Sequence, residues 1–184
     1  LDALKKSSPG NSYKWLHEEI GTNFRLTEIQ AAIATSQLKK LDRLNSERIK
    51  LCNRLTKNLK KLKKIKTPVV KKNHKHVYYF YVMQIDPKNL RYKPKKIVEL
   101  FSKNGFVLRH GYIKPLYHEP IFKKKICFGN KGYPFTINKR NKQINYNNHK
   151  EWKNCEEINR KVFLTSSIYH PYTLKDMDKF SKLL

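Results

Sequence analysis

Gly21-Thr22-Asn23-Phe24-Arg25-Leu26-Thr27-Glu28-Ile29-Gln30-Ala31-Ala32-Ile33, continued by Gln37-Leu38-Lys39-Lys40-Leu41-Asp42, decides how this chain folds. Thr27 and Gln30 have the capping-box spacing, in which a hydroxyl accepts from the backbone N–H three residues on and the amide reaches back to the cap. A helix is therefore expected to begin at Glu28. Leu26, Ile29, Ile33, Leu41, Leu44, Cys52, Leu55, Leu59 and Leu62 recur at steps compatible with a 3.6-residue period, interrupted by Gln37 and Arg48. That pattern predicts one long or kinked helical segment. Glu28 at its start and Lys60, Lys61, Lys63 and Lys64 at its end complement the helix dipole.

Beyond this segment, Lys66 to Val70 reads as extended, with Pro68 confining it to an edge or a strand start. His76 to Ile85 is aromatic and β-branched and is bounded by Asp86-Pro87, which predicts a buried central strand. Pro94 to Asn104 has the spacing of a helix, stopped by Asn104-Gly105 and followed by a strand at Phe106 to Leu108. Tyr112 to Phe122 is an aromatic loop punctuated by proline, and residues 123–150 read as a polar, basic, mobile insertion. A helix over His149 to Arg160, a strand over Lys161 to Leu164 and a closing helix from Leu174 complete the chain. Leu174, Met177, Phe180, Leu183 and Leu184 are the residues expected to face inward. Helices alternating with separated strands predict an α+β fold, with a long N-terminal helix and further helices packed on a small, mostly antiparallel sheet.

Length and composition bound the function. A chain of 184 residues suffices for one domain with its own core. No charged-then-apolar leader opens the sequence and no apolar run reaches membrane-spanning length, so a soluble protein with no membrane partner is expected. Cys52, Cys127 and Cys155 are far apart and odd in number, which argues against a disulfide framework and fits a reducing, cytoplasmic setting. The 41 Lys plus Arg against 14 Asp plus Glu give a formal charge of +27, which suggests an anionic partner such as nucleic acid. Only 8 of those 41 are arginine, the residue suited to bidentate phosphate and base recognition. A solvated lysine surface is the favoured reading. The rival is a basic nucleic-acid or polyanion binding module built on Lys60 to Lys75 and Lys123 to Lys142.

The opening stretch resembles the DegT/DnrJ/StrS family of pyridoxal-phosphate-dependent sugar aminotransferases, whose members carry G-x-N-x-R-[ML]-[ST]-E-[IL]-Q-A-A-[IL] followed by Q-L-x-K-L-D. The resemblance continues through His76 to Val82, through Gly111-Tyr112, Pro115-Leu116-Tyr117 and Pro120, and through Asn154-Cys155-Glu156-Glu157 with Val162-Phe163-Leu164. It implies the small C-terminal domain of a fold-type I aminotransferase over residues 21–184, preceded by a linker from a large domain over residues 1–20. No stretch resembles the family's cofactor-bearing lysine motif, its phosphate-binding turn or the aspartate that pairs with the pyridine nitrogen. The chain is thus expected to be catalytically incomplete alone, with no catalytic residue of its own.

What the resemblance carries over is narrow. Asn23 matches the asparagine that reaches across a dimer interface to the pyridoxal phosphate of the neighbouring subunit, against the reading that it only organises the turn before Thr27. Arg25, in the same motif, is expected to brace the loop. Tyr112 lies in the loop that in the family approaches the sugar, so it is the candidate substrate-binding residue. Gly111 stands where many members have histidine, which looks like members acting on cyclitols or other non-standard keto sugars. The implied partners are a second subunit or a separate cofactor-lysine domain, a keto-sugar or cyclitol substrate, and an amino donor such as glutamate or glutamine. An exposed apolar patch at Trp15, Phe24 and Leu26 is expected where the large domain would sit. His74 and His76 could share one face of a strand, but no third ligand accompanies them, and no metal site is expected.

Overall fold

Gln30 donates its backbone N–H to Thr27 Oγ1 at 3.3 Å, and Thr27 N–H donates to Gln30 Oε1 at 2.8 Å, so the capping box forms. It starts α1, Glu28–Leu38. The computed structural model describes residues 26–148 and 152–184. Asn23, Arg25, Trp15 and Phe24 lie outside the described residues.

The described chain divides into two compact units, one of residues 26–112 and 157–184 and the other within 113–156. In the first, a turn at Lys39 and Lys40 separates α1 from α2, Leu41–Leu59, so the long segment is kinked. The kink divides the apolar stripe by function. Leu51, Cys52, Leu55 and Leu59 are buried in the core. Leu26, Ile29, Ile33 and Leu41 are exposed, and α1 has no buried residue. The expected stripe is therefore a core face only along α2.

The sheet has the order β1-β2-β4-β3, comprising Ile65–Lys66, Tyr81–Ile85, Val162–Thr165 and Arg109–His110, with each neighbouring pair antiparallel. In β2, Tyr81, Met83 and Ile85 are buried while Val82 is exposed, the alternation of a strand packed on one face. Met83 is in register with Phe163 of β4, and both are fully buried among the helices' core residues. Tyr81 reaches α2 through a 2.8 Å bond between its hydroxyl and Thr56 Oγ1.

Two expected strands are shortened for local reasons. The run from His76 does not extend until Tyr81, because Tyr78 has φ of 50° and its N–H donates to His76 Nδ1 at 2.9 Å. The strand expected at Phe106 pairs only from Arg109. Here α3, Pro94–Lys103, ends in a Schellman motif: Phe106 N–H donates to Phe101 O and Gly105 N–H to Ser102 O, both at 3.0 Å. Gly105, with φ of 81°, supplies the left-handed residue, and the Phe106 N–H is already engaged.

The closing helix α7, Leu174–Lys182, is capped by Thr173 and Asp176 and buries Met177 and Phe180. Leu183 and Leu184 pack partly on the core, but Leu174 is exposed, a correction to the expected inward set. The helix packs against α2. Across that contact Arg54 Nε and Nη2 donate to Asp178 Oδ1 and Oδ2 at 2.7 and 2.8 Å, and Asn58 Nδ2 donates to Oδ1 at 2.7 Å.

The Arg54 and Asn58 bonds hold the Asp178 carboxyl well below the usual carboxylate range. Its folded value lies under its unfolded one, so the stabilisation is present above about pH 4 and is lost as pH falls further. Asp178→Asn is expected to flatten the fall of the urea midpoint between about pH 4 and pH 2. Equal acid slopes in parent and variant would contradict this.

In the second unit, α4, Pro120–Lys123, is followed by a turn closed by the Phe128–Tyr133 bridge and by α5, Lys139–Gln143, capped by Asn138. Phe122, Phe135 and Tyr146 pack their rings together, and Tyr146 stacks on Trp152 at 6.4 Å. The described part of the stretch expected as a mobile insertion thus has local structure. Helix α6, Lys153–Lys161, begins in this unit and ends in the other.

Candidate functional site

The loop that carries Tyr112 is fixed by α6. Glu156 and Asn159 are three apart on that helix, and so share a face. Asn159 Oδ1 accepts the Tyr112 N–H at 2.7 Å, and the Arg160 carbonyl lies 2.9 Å from His110 Nε2. Between them Gly111 donates to Val162 O at 2.8 Å with φ of 73°. A Cβ at Gly111 would lie 3.4 Å from Asn159 Oδ1, an ordinary contact, so a side chain would be disfavoured by the left-handed backbone conformation and not by lack of space. That positive φ is a local reason for glycine at this position, where the resemblance implies histidine in many members. The Tyr112 side chain is 58% exposed, with its ring edge-on to Phe80 at 6.0 Å.

Further along the same loop, in the other unit, Tyr117 is buried and donates its hydroxyl to Glu156 Oε1 at 2.8 Å. His118 Nε2 meets the same oxygen at 2.8 Å. Tyr117 also stacks on Trp152, with centroids 5.1 Å apart and planes 14° from parallel. Burial first, and then the bond to Glu156, push the Tyr117 phenol well above its ordinary range. It is held as a protonated donor. In the sequence Glu156 belongs to a motif that assigns it no role, and no motif marks Asn159. The signal available was their shared helix face.

Chemically, the loop presents an exposed phenol on a backbone pinned by side chains, an arrangement that can orient a polar ligand. The histidines at 74 and 76 are otherwise engaged: His74 Nδ1 lies 3.0 Å from Lys72 O, and His76 Nδ1 accepts from Tyr78 N–H. Among the described residues no group of three or more His, Cys, Asp or Glu could hold a metal ion. Burial pushes the Cys52 thiol up to about 12, so it is a packing residue rather than a nucleophile.

Residues 3–156 match the family described as DegT/DnrJ/EryC1/StrS aminotransferases. The chain belongs to this family. Aminotransferases of the family depend on pyridoxal phosphate. Among curated proteins, the chain is 27% identical over 133 residues to an uncharacterized protein of Methanocaldococcus jannaschii, covering 72% of this chain and 34% of that one. It is 21% identical over 136 residues to the spore coat polysaccharide biosynthesis protein SpsC of Bacillus subtilis, covering 74% and 35%. The chain thus spans about a third of the length of these relatives.

Solved aminotransferase structures share the fold, among them the following two. An aminotransferase from Psychrobacter cryohalolentis superposes with a TM-score of 0.60 at 17% identity, covering 99% of this chain and 44% of that one. Helicobacter pylori PseC, an aminotransferase involved in the biosynthesis of pseudoaminic acid, gives 0.60 at 20%, covering 97% and 41%.

The described residues do not fit the covalent part of a pyridoxal phosphate site. A lysine that forms a Schiff base is activated by desolvation or a cationic neighbour. No described lysine is buried, and that of Lys161 is held above its ordinary range, chiefly by its bond to Glu157.

Proposed function

We propose that this chain supplies the C-terminal part of a pyridoxal-phosphate-dependent aminotransferase acting on a keto sugar or cyclitol, and that it transaminates only with a lysine-bearing domain. The observation that carries this reading is α1. It has one charged residue, Glu28, among eleven, in a chain that is 30% charged, and buries none of them. Leu26 and Ile29 are 75% exposed, Leu38 67% and Ile33 58%. An isolated helix of this length is marginal in water, and one without a charged face needs burial on more than one side. A lysine-bearing domain is the cover the family supplies.

In this reading the protein works in the cytoplasm as a dimer. Asn23 approaches the cofactor phosphate of the neighbouring subunit, Tyr112 orients the sugar, and glutamate or glutamine donates the amino group. Asn159 holds the Tyr112 backbone in position. The test is complementation with the lysine-bearing portion of a family member, followed by a transaminase assay. Activity should appear on mixing and fall at least tenfold in Asn23→Ala, as loss of a charge-assisted phosphate contact demands. Restored activity indifferent to Asn23 would refute its role across the interface.

A further inference from the structure

From Arg48 to Ile85 the sequence contains no aspartate or glutamate, and within it lie Lys60, Lys61, Lys63, Lys64, Lys66, Lys71, Lys72 and Lys75. All eight are exposed. They occupy the turn after α2, the edge strand β1 and the loop that leaves it, all in one compact unit. Lys75 lies 3.9 Å from Asp42, an exposed pair that neutralises little. Aliphatic side chains are set among these cations: Val69 is 87% exposed, Val70 41% and Leu62 38%.

We propose that residues 60–75 form a docking surface for an anionic lipid bilayer. Charge complementarity selects an anionic partner, since lysines near a negatively charged surface each add to binding. The aliphatic residues select lipid over nucleic acid. Valine and leucine gain by entering the boundary between headgroups and acyl chains, and lysine stems can lie along apolar surface with their ammonium groups outward. A single-stranded nucleic acid would instead call for aromatic platforms and arginine forks, and 60–75 contains neither. Lysine on an edge strand and proline just beyond it also discourage edge-to-edge pairing, which accounts for Lys66 and Pro68. It does not account for the lysines off the strand on both sides. No described helix is long and apolar enough to cross a membrane, so the contact is peripheral and replaces the expectation, drawn from the lack of an apolar span, of no membrane partner. This proposal is independent of the aminotransferase reading.

The test is co-sedimentation of the full chain with vesicles of phosphatidylcholine alone or mixed with phosphatidylglycerol, at low and physiological salt. Lys63, Lys64, Lys71 and Lys72 are changed together to Glu. A charge-matched control changes the exposed Lys88, Lys93, Lys95 and Lys103 to Glu. Binding should require phosphatidylglycerol and weaken about a thousandfold in the first variant, with about threefold loss or less in the control. Val69→Ser with Val70→Ser should release the chain at physiological salt while leaving its thermal unfolding unchanged. Equal loss in both lysine variants would reduce the effect to net charge and overturn the proposal. So would tighter binding to oligonucleotides than to vesicles, with no effect of the valine changes.

Discussion

Phe180→Ala is expected to lower the stability of the chain by about 3–5 kcal/mol, the range for emptying a buried aromatic site. Phe180 is 1% exposed, and its ring stands edge-on to Phe101 at 4.6 Å and to Phe106 at 5.2 Å. It joins α7 to α3 and to the Schellman turn after α3. Truncation therefore removes apolar burial and two ring contacts at one point, in a protein whose total stability is expected to be about 5–15 kcal/mol. Urea unfolding followed by circular dichroism measures it, and Phe180→Leu should cost distinctly less because it refills most of the volume. A loss below about 1 kcal/mol in Phe180→Ala would mean that α7 is not part of the cooperative core.

The second large effect concerns association rather than stability. Ile29→Asp combined with Ile33→Asp should weaken binding to a lysine-bearing portion by at least about 30-fold, because charges would then be buried at the centre of an apolar contact. The isolated chain should be nearly indifferent, within about 0.5 kcal/mol, since both residues are already in solvent. Calorimetric titration gives the affinity, and thermal unfolding of the unmixed variant gives the control. If the variant binds as tightly as the parent, α1 is not the docking face. Loss of stability in the unmixed variant would mean that α1 is covered within the chain itself.

The capping boxes at Thr27 and Thr173 depend on residues three apart, which is why the first was legible in the sequence. The same holds for the end of α3, where Asn104-Gly105 announces the turn. Periodicity carried less. Ile29 and Leu55 fit one stripe equally well, yet one is 75% exposed and the other fully buried, because a helical period records apolar residues and not what covers them. The aromatic run from His76 read as one strand, but the His76 ring captures the Tyr78 N–H, a side-chain choice that β propensity does not encode. Tyr112 stands out in the sequence only through its motif. The bond from its backbone to Asn159 spans a sequence separation of 47 and became visible only with the fold.

The central proposal is that these 184 residues form one part of a pyridoxal phosphate enzyme and that the cofactor lysine is not among them. It is tested most directly by incubating the purified chain with pyridoxal phosphate, reducing with borohydride and mapping any pyridoxyl-lysine by mass spectrometry. The parent chain alone should give no defined adduct beyond scattered surface labelling. After mixing with a lysine-bearing portion, one stoichiometric adduct should appear on that portion. A single stoichiometric pyridoxyl-lysine on this chain alone would contradict the account.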